Sequence, residues 1–263
     1  MPHATLSLSL SRLEQPVGEQ YMQALREVGG ASAPDLDEAA LSTAFLKEYN
    51  RASLERPCFG HGLCDSNEWW QDVVHSTFAS AGLPPSSAEL LPDAFTLLWH
   101  RFSTRDGFRL RPHVLECLSK LHAWREAQPD GRTRIAVISN WDDRLPMLLR
   151  ELGVVEYFDA VITSREVGFE KPDARIFALA RARMAVAPDA RCVHIGDSWS
   201  RDVRGAHAAA YEAVYVRPRA QVPHSVLAEM SRGDAAPHLY LEDLASLPDR
   251  LLPVVPCSGL GAL

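Results

Sequence analysis

Residues 134–163 read RIAVISNWDDRLPMLLRELGVVEYFDAVIT, and they decide the fold. The opening run, Arg134–Ser139, is short, apolar and β-branched without alternation, the signature of a strand buried on both faces. Arg144–Leu152 follows as an amphipathic helix stopped by Gly153. Asp159–Thr163 is a second short apolar run. Strand, helix and strand in that order form a βαβ unit, whose two strands lie parallel. The same rhythm continues downstream. Asp173–Met184 reads as helix, Arg191–Ile195 as strand, Val203–Ala210 as helix and Ala213–Val216 as strand. Pro112–Trp124, upstream, is a further amphipathic helix. The expectation is an α/β fold, a doubly wound parallel sheet.

The chain before residue 103 has another texture. Residues 17–30 read as a helix closed by Gly29 and Gly30. Asp35 is expected to N-cap a second helix, with Leu36, Ala40, Phe45 and Tyr49 near one side. Residues 56–67 are turn-rich, a third helix runs from Asn67 to Gly82, and a weaker one spans Ser86–Phe102. This helical block stands ahead of the sheet unless the sheet's first strand precedes it. Thr5–Ser11, TLSLSLS, is the candidate for that strand. The division is then 1–16 and 103–221 for the α/β core, 17–102 for a helical cap, and 222–263 for a C-terminal extension. That extension carries scattered prolines, a short helix at Ser225–Met230 and a loop-like end.

Composition narrows the function classes. The chain has 263 residues, 46% hydrophobic and 23% charged, which is ordinary globular composition. A net charge of -7 argues against a nucleic-acid partner. The longest apolar runs are strand-length, so no membrane span is expected. Five cysteines at irregular spacing, with no C-x-x-C, point to a reducing compartment. Cys58 and Cys64, with His61 between them, have no second ligand pair at zinc-finger spacing and read as loop residues. The first thirteen residues are Ser-rich with one Arg and no acid, yet lack the Arg density of a transit peptide. The expected location is cytoplasmic.

Three stations follow expected strands, where open α/β sheets place their sites. Ser139-Asn140 ends the first strand and opens a helix. A hydroxyl and free N–H groups there suit a phosphate oxygen, or equally a helix cap. Lys171 is held by Pro172, which is expected to start the next helix in its first turn. Its ammonium is aimed at a phosphoryl group or is a solvated surface charge. Asp197 and Asp202 follow Gly196 in VHIGDSWSRD. Two carboxylates there are hard-oxygen ligands for Mg²⁺, or caps of the turn and helix.

Taken in order, these segments resemble the haloacid dehalogenase superfamily. VISNWDDRL is similar to its second motif, GFEKPDARIF to its third and HIGDSWSRDVRGA to its fourth. The likeness spans Leu110 to Pro218. QPVGEQY and WWQDVV also resemble a subgroup, the haloacid dehalogenase-like hydrolase domain-containing 3 proteins. The resemblance implies an aspartate nucleophile that forms an aspartyl-phosphate, with Mg²⁺ bridging it, the substrate and the fourth-motif acid. Ser139, Asn140 and Lys171 would hold the phosphoryl oxygens, and Asp197 and Asp202 the metal. It implies hydrolysis of a small phosphorylated metabolite, with the cap residues Phe59, His61, Trp69 and Trp70 setting the substrate and Trp141 and Trp199 packing at the mouth.

One motif departs. The nucleophile should fall near Thr5, and no Asp or Glu occurs before Glu14. Asp35-Leu36-Asp37 follows no strand and reads as a cap. Thr5, Ser7 or Ser9 would each need a base to become a nucleophile, and none is adjacent. Two explanations are open. One is an altered N-terminus, through an alternative start or exon, of a competent phosphohydrolase. The other is a non-catalytic relative that binds phosphate. Alternation in TLSLSLS fits a half-buried edge strand better than a central one, which favours the first. Dehalogenation of a 2-haloacid is the weaker third reading, since it needs the same carboxylate.

Overall fold

A computed structural model describes residues 3–6, 10–128, 133–232 and 236–251. Its strands are β1 (His3–Leu6), β2 (Ser11–Leu13), β3 (Phe108–Leu110), β4 (Ile135–Ser139), β5 (Ala160–Thr163), β6 (Cys192–Gly196), β7 (Glu212–Val216) and β8 (Leu239–Leu241). Six of them form one sheet in the order β5-β4-β1-β6-β7-β8, and every pairing in it is parallel. β2 and β3 pair antiparallel and form a separate ribbon.

Alternation along each strand divides the core. Ile135 and Val137 of β4 join Val193, Ile195 and Val214 on one face, against the helices Val114–Glu126 and Leu145–Glu151. Ala136 and Ile138 join Tyr215, Phe177 and Val203 on the other, against the helix Ala174–Arg183. Both faces are therefore covered, as a doubly wound sheet requires. Burying each large side chain of this kind contributes roughly 1.5–3 kcal/mol.

Residues 17–102 fold as helices with their own apolar clusters. Tyr21, Leu25, Leu41, Phe78 and Leu98 form one, and Phe59, Trp69 and Val73 the other. The β2–β3 ribbon ties the chain entering this block to the chain leaving it, since Ser11 pairs with Leu110 and Leu13 with Phe108.

The structure corrects several expectations. The second helix, Glu38–Glu55, is capped by Asp37, which accepts from the Ala40 N–H, while Asp35 pairs with Arg26. Its buried stripe is Leu41, Ala44, Glu48 and Ala52, with Ala40 exposed. Asp65 caps the third helix, Ser66–Ser80, and the fourth splits into a 3₁₀ turn at Pro85–Leu90 and a helix at Leu91–Arg101. Pro172 does not enter the following helix, because Asp173 is its cap and Ala174 its first residue. The stretch expected as the helix Val203–Ala210 begins as a wider π turn at Trp199–Arg204 and closes as Gly205–Ala208. The tail is not loop-like throughout: β8 extends the sheet beside β7, and Leu247–Leu251 packs on the first face.

β1 lies between β4 and β6, at the centre of the sheet rather than at an edge. Thr5 pairs with Ala136 and with His194, three residues before Ser139 and Asp197 on either side. At about 3.3 Å per residue it is roughly 10 Å short of the level of those two residues. Thr5 thus does not stand at the strand ends where the nucleophile was expected. Ser7 and Ser9 lie outside the described residues.

Candidate functional site

The C-terminal ends of β4 and β6 open into a cavity of about 410 Å³ between the sheet and the helical block. Ser139, Asn140, Lys171, Asp197 and Asp202 all line it, so the structure brings every expected site residue of the three stations together.

Lys171 is the centre of the floor. Its side chain is buried, and Nζ donates to Asp202 Oδ1 at 2.7 Å and to the Ile138 carbonyl at 2.8 Å. Burial draws the ammonium's pKa below its ordinary value, against the pull of Asp202. Burial pushes the Asp202 carboxyl up, but Lys171 and then His194 outweigh it and hold that carboxyl well below the usual range.

Asp202 is fully engaged. Oδ1 also accepts from His194 Nε2 at 3.1 Å, and Oδ2 accepts from the Ser198 N–H at 2.9 Å. Burial lowers the His194 pKa, against the pull of the Asp202 carboxylate beside it. Gly196 makes this approach possible. A Cβ at that position would fall 2.2 Å from Asp202 Cγ. Asp202, expected to hold metal, is the carboxylate that pairs with the lysine.

Asn140 also has another part. Its Oδ1 accepts from the Lys171 N–H at 2.8 Å and its Nδ2 donates to the Lys171 carbonyl at 2.9 Å. Both ends of the amide are taken up by one residue's backbone. Asn140 was expected to bind phosphate, and the geometry makes it a positioning residue for the lysine. Ser139 ends β4, buried, and lines the cavity.

Asp197 is the carboxylate nearest to solvent. Its side chain is one-third exposed (32%), and Oδ2 accepts from Arg111 Nη2 at 3.1 Å. Its other oxygen has no partner among the described residues. Those residues contain no cluster of three or more His, Cys, Asp or Glu that would hold a metal alone. Mg²⁺ often takes only one or two carboxylates and completes its shell with waters and phosphate oxygens. The donor set fits such a hold through Asp197 alone.

Sequence reasoning missed a cluster over the cavity. Asp142 Oδ1 accepts from Arg144 Nε at 2.9 Å, and Oδ2 accepts from Arg144 Nη2 at 2.7 Å and from Trp70 Nε1 at 2.6 Å. The guanidinium carbon lies 4.2 Å from the Trp99 ring centre and 5.0 Å from that of Trp70. Asp142 and Arg144 come from the sheet side, and both indoles from the helical block. The pattern NWDDR shows the charges but not their partners. Of the expected cap residues, Phe59 and Trp70 line the cavity, Trp69 is wholly buried, and His61 Nδ1 is 2.7 Å from the Arg165 carbonyl oxygen. Trp141 lines the cavity, whereas Trp199 packs edge-on against Tyr215.

The comparisons now have a geometry to explain. A family model described as haloacid dehalogenase-like hydrolase matches residues 12–210. The chain belongs to that family. It is 36% identical over 202 residues to the bovine (Bos taurus) haloacid dehalogenase-like hydrolase domain-containing protein 3, covering 76% of this chain and 74% of that protein. The likeness noted in QPVGEQY and WWQDVV therefore extends over most of the family region. A glyceraldehyde 3-phosphate phosphatase of Methanothermobacter thermautotrophicus is 42% identical over 89 residues, 32% of this chain and 37% of that protein. Among solved structures, a 2-haloacid dehalogenase from Pseudomonas syringae superposes with a TM-score of 0.62 at 22% identity, covering 95% of this chain and 97% of that one. That last likeness is one of fold. No helix among the described residues is long and apolar enough to cross a membrane.

Proposed function

We propose that the cavity binds a small phosphomonoester and that its hydrolysis is impaired in this chain. The observation that supports this reading is Lys171, whose ammonium is held by Asp202 and whose backbone is held by Asn140, in a cavity that Ser139 also lines. A buried cation of set direction suits transferable phosphoryl oxygens, since phosphoryl transfer is largely positioning and charge neutralisation. Ser139 would donate to the same oxygens. Mg²⁺, held by Asp197, would neutralise further phosphoryl charge. Covalent hydrolysis needs a carboxylate nucleophile as well, and no acid precedes Glu14. The lack favours binding over turnover. A relative named as a phosphatase is 42% identical over 89 residues, 32% of this chain, which supports phosphate chemistry over dehalogenation.

Calorimetric titration of the protein with inorganic phosphate tests the binding half. Phosphate should bind, more tightly with Mg²⁺ present, and Asp197→Asn should remove only the Mg²⁺ effect. An aryl phosphate assay tests the other half. A Mg²⁺-dependent rate abolished by Asp197→Asn would refute impairment, and absence of phosphate binding would refute the site.

A further inference from the structure

The two walls of the cavity differ in chemistry. The sheet side supplies the charges. The helical block and its connecting ribbon supply Phe45, Leu46, Tyr49, Phe59, Trp70 and Phe108, among others. The rings of this wall are packed on each other. Phe45 stacks on Trp70 at 6.4 Å, Phe59 on Trp70 at 6.0 Å, and Tyr49 meets Phe59 edge-on. The wall has two polar side-chain groups among the described residues, and both are taken. Trp70 Nε1 donates to Asp142, and the Tyr49 hydroxyl is paired with Ser53. Such a surface has almost nothing to offer the hydroxyls of a sugar or glycerol phosphate, and burying a hydroxyl without a partner is costly.

A second cation stands at the same cavity. Arg201 lines it from the π turn after Ser198. Its backbone N–H donates to Ser198 Oγ, and its guanidinium makes no hydrogen bond or ion pair among the described residues. Other arginines of this neighbourhood are committed, Arg144 to Asp142, Arg111 to the Asp197 carboxylate, and Arg217 to the Asp197 and Gln221 carbonyls. Leu46, 60% exposed, marks the rim opposite.

We propose that the ligand is the phosphate monoester of a flat, apolar alcohol, an aryl phosphate in the simplest case, with its ring against the aromatic wall and Arg201 as a second anion contact beside Lys171. The inference rests on the phosphate reading above and adds to it the alcohol half and a binding role for Arg201. A fork-shaped guanidinium suits a dianion bidentately. Aromatic walls bind rings by offset or edge contacts and by loss of hydrated area.

The test is a titration series on the full chain, read by calorimetry and by quenching of tryptophan emission. The probes are inorganic phosphate, glycerol 3-phosphate, 1-naphthyl phosphate and 1-naphthol. Naphthyl phosphate is expected to bind at least about tenfold more tightly than glycerol 3-phosphate, since each methylene-sized increment of buried area is worth roughly fourfold. Arg201→Ala should weaken naphthyl phosphate about fivefold to tenfold. Leu46→Glu, on an exposed rim, should weaken naphthyl phosphate more than inorganic phosphate. Equal affinity for the glycerol and naphthyl esters, with inorganic phosphate bound, would overturn the aryl assignment and leave the phosphate site standing. Naphthol binding as tightly as its phosphate, or no phosphate binding at all, would overturn the phosphate site and this proposal with it. An unchanged Kd in Arg201→Ala would remove Arg201 from the site.

Discussion

Lys171 Nζ lies 2.7 Å from Asp202 Oδ1, and each side chain is only 3% exposed. The pair spans the sheet, from the loop before the helix Ala174–Arg183 to the π turn after β6. Breaking one partner of such a buried pair leaves a charge in low dielectric, which costs about 3–5 kcal/mol. Asp202→Asn is therefore expected to destabilise the protein by that amount in urea unfolding. Lys171→Met should cost less, because His194 and the Ser198 N–H still bond the carboxylate. The double variant should recover part of the Asp202→Asn loss. Additive effects in this cycle would contradict direct coupling.

Gly196 gives a sharper probe of the same geometry. Alanine there would put a methyl 2.2 Å from Asp202 Cγ and 2.4 Å from Oδ2. The carboxylate would have to move, and Lys171 with it. Gly196→Ala should destabilise by about 1–3 kcal/mol, as other overpacked cores do. It should also weaken phosphate binding, although residue 196 is not placed to touch the ligand. Unchanged phosphate affinity would show that the position of Asp202 is not what sets Lys171.

How much of this was legible beforehand depends on how far apart the partners are. RIAVIS declared a buried strand because its signal is continuous and local. LYL in β8 did not, being three residues long, half-exposed and set among polar neighbours. The three stations were visible because each follows a strong strand. The parts played by their residues were not. Asn140 binds a backbone 31 positions away, and Asp202 a lysine equally distant. Such pairings arise from the sheet order and leave no trace in spacing. Alternation in TLSLSLS pointed to an edge, yet β1 is central, since strand order is fixed by which ladders close around it.

Acid sensitivity should come in part from the helical block. Glu48 sits in the helix Glu38–Glu55 with its two oxygens on Arg51 and Ser80. The Arg51 bond and then the Ser80 bond lower its pKa, against burial. A carboxyl depressed in the folded state adds stability above its unfolded value, about 4.3. That stability is lost as pH falls through the lower folded value. Glu48→Gln should therefore be less stable than the parent at pH 7, by up to about 1 kcal/mol. The gap should close towards pH 3. A constant gap across urea titrations from pH 3 to 7 would assign the effect to packing instead.

Arg144 decides how firmly the helical block sits on the sheet. Its guanidinium is held by Asp142 from below and lies between Trp70 and Trp99 of two different helices. The same side chain thus satisfies a buried carboxylate and fills the gap between two indoles. Arg144→Ala removes both and leaves Asp142 with Trp70 alone as a side-chain partner. The expected cost is about 3–5 kcal/mol. Amide exchange should rise in Ser66–Ser80 and Leu91–Arg101, and much less in the sheet. Arg144→Lys separates the two contributions. It keeps the charge but not the planar fork, so it should restore pairing with Asp142 in part and the indole contacts hardly at all. If lysine protects both helices as well as arginine does, the charge alone holds the block. If alanine leaves exchange unchanged there, the latch lies elsewhere, and the Arg165 bonds to the Phe59 and Cys64 carbonyls are the next contact to remove.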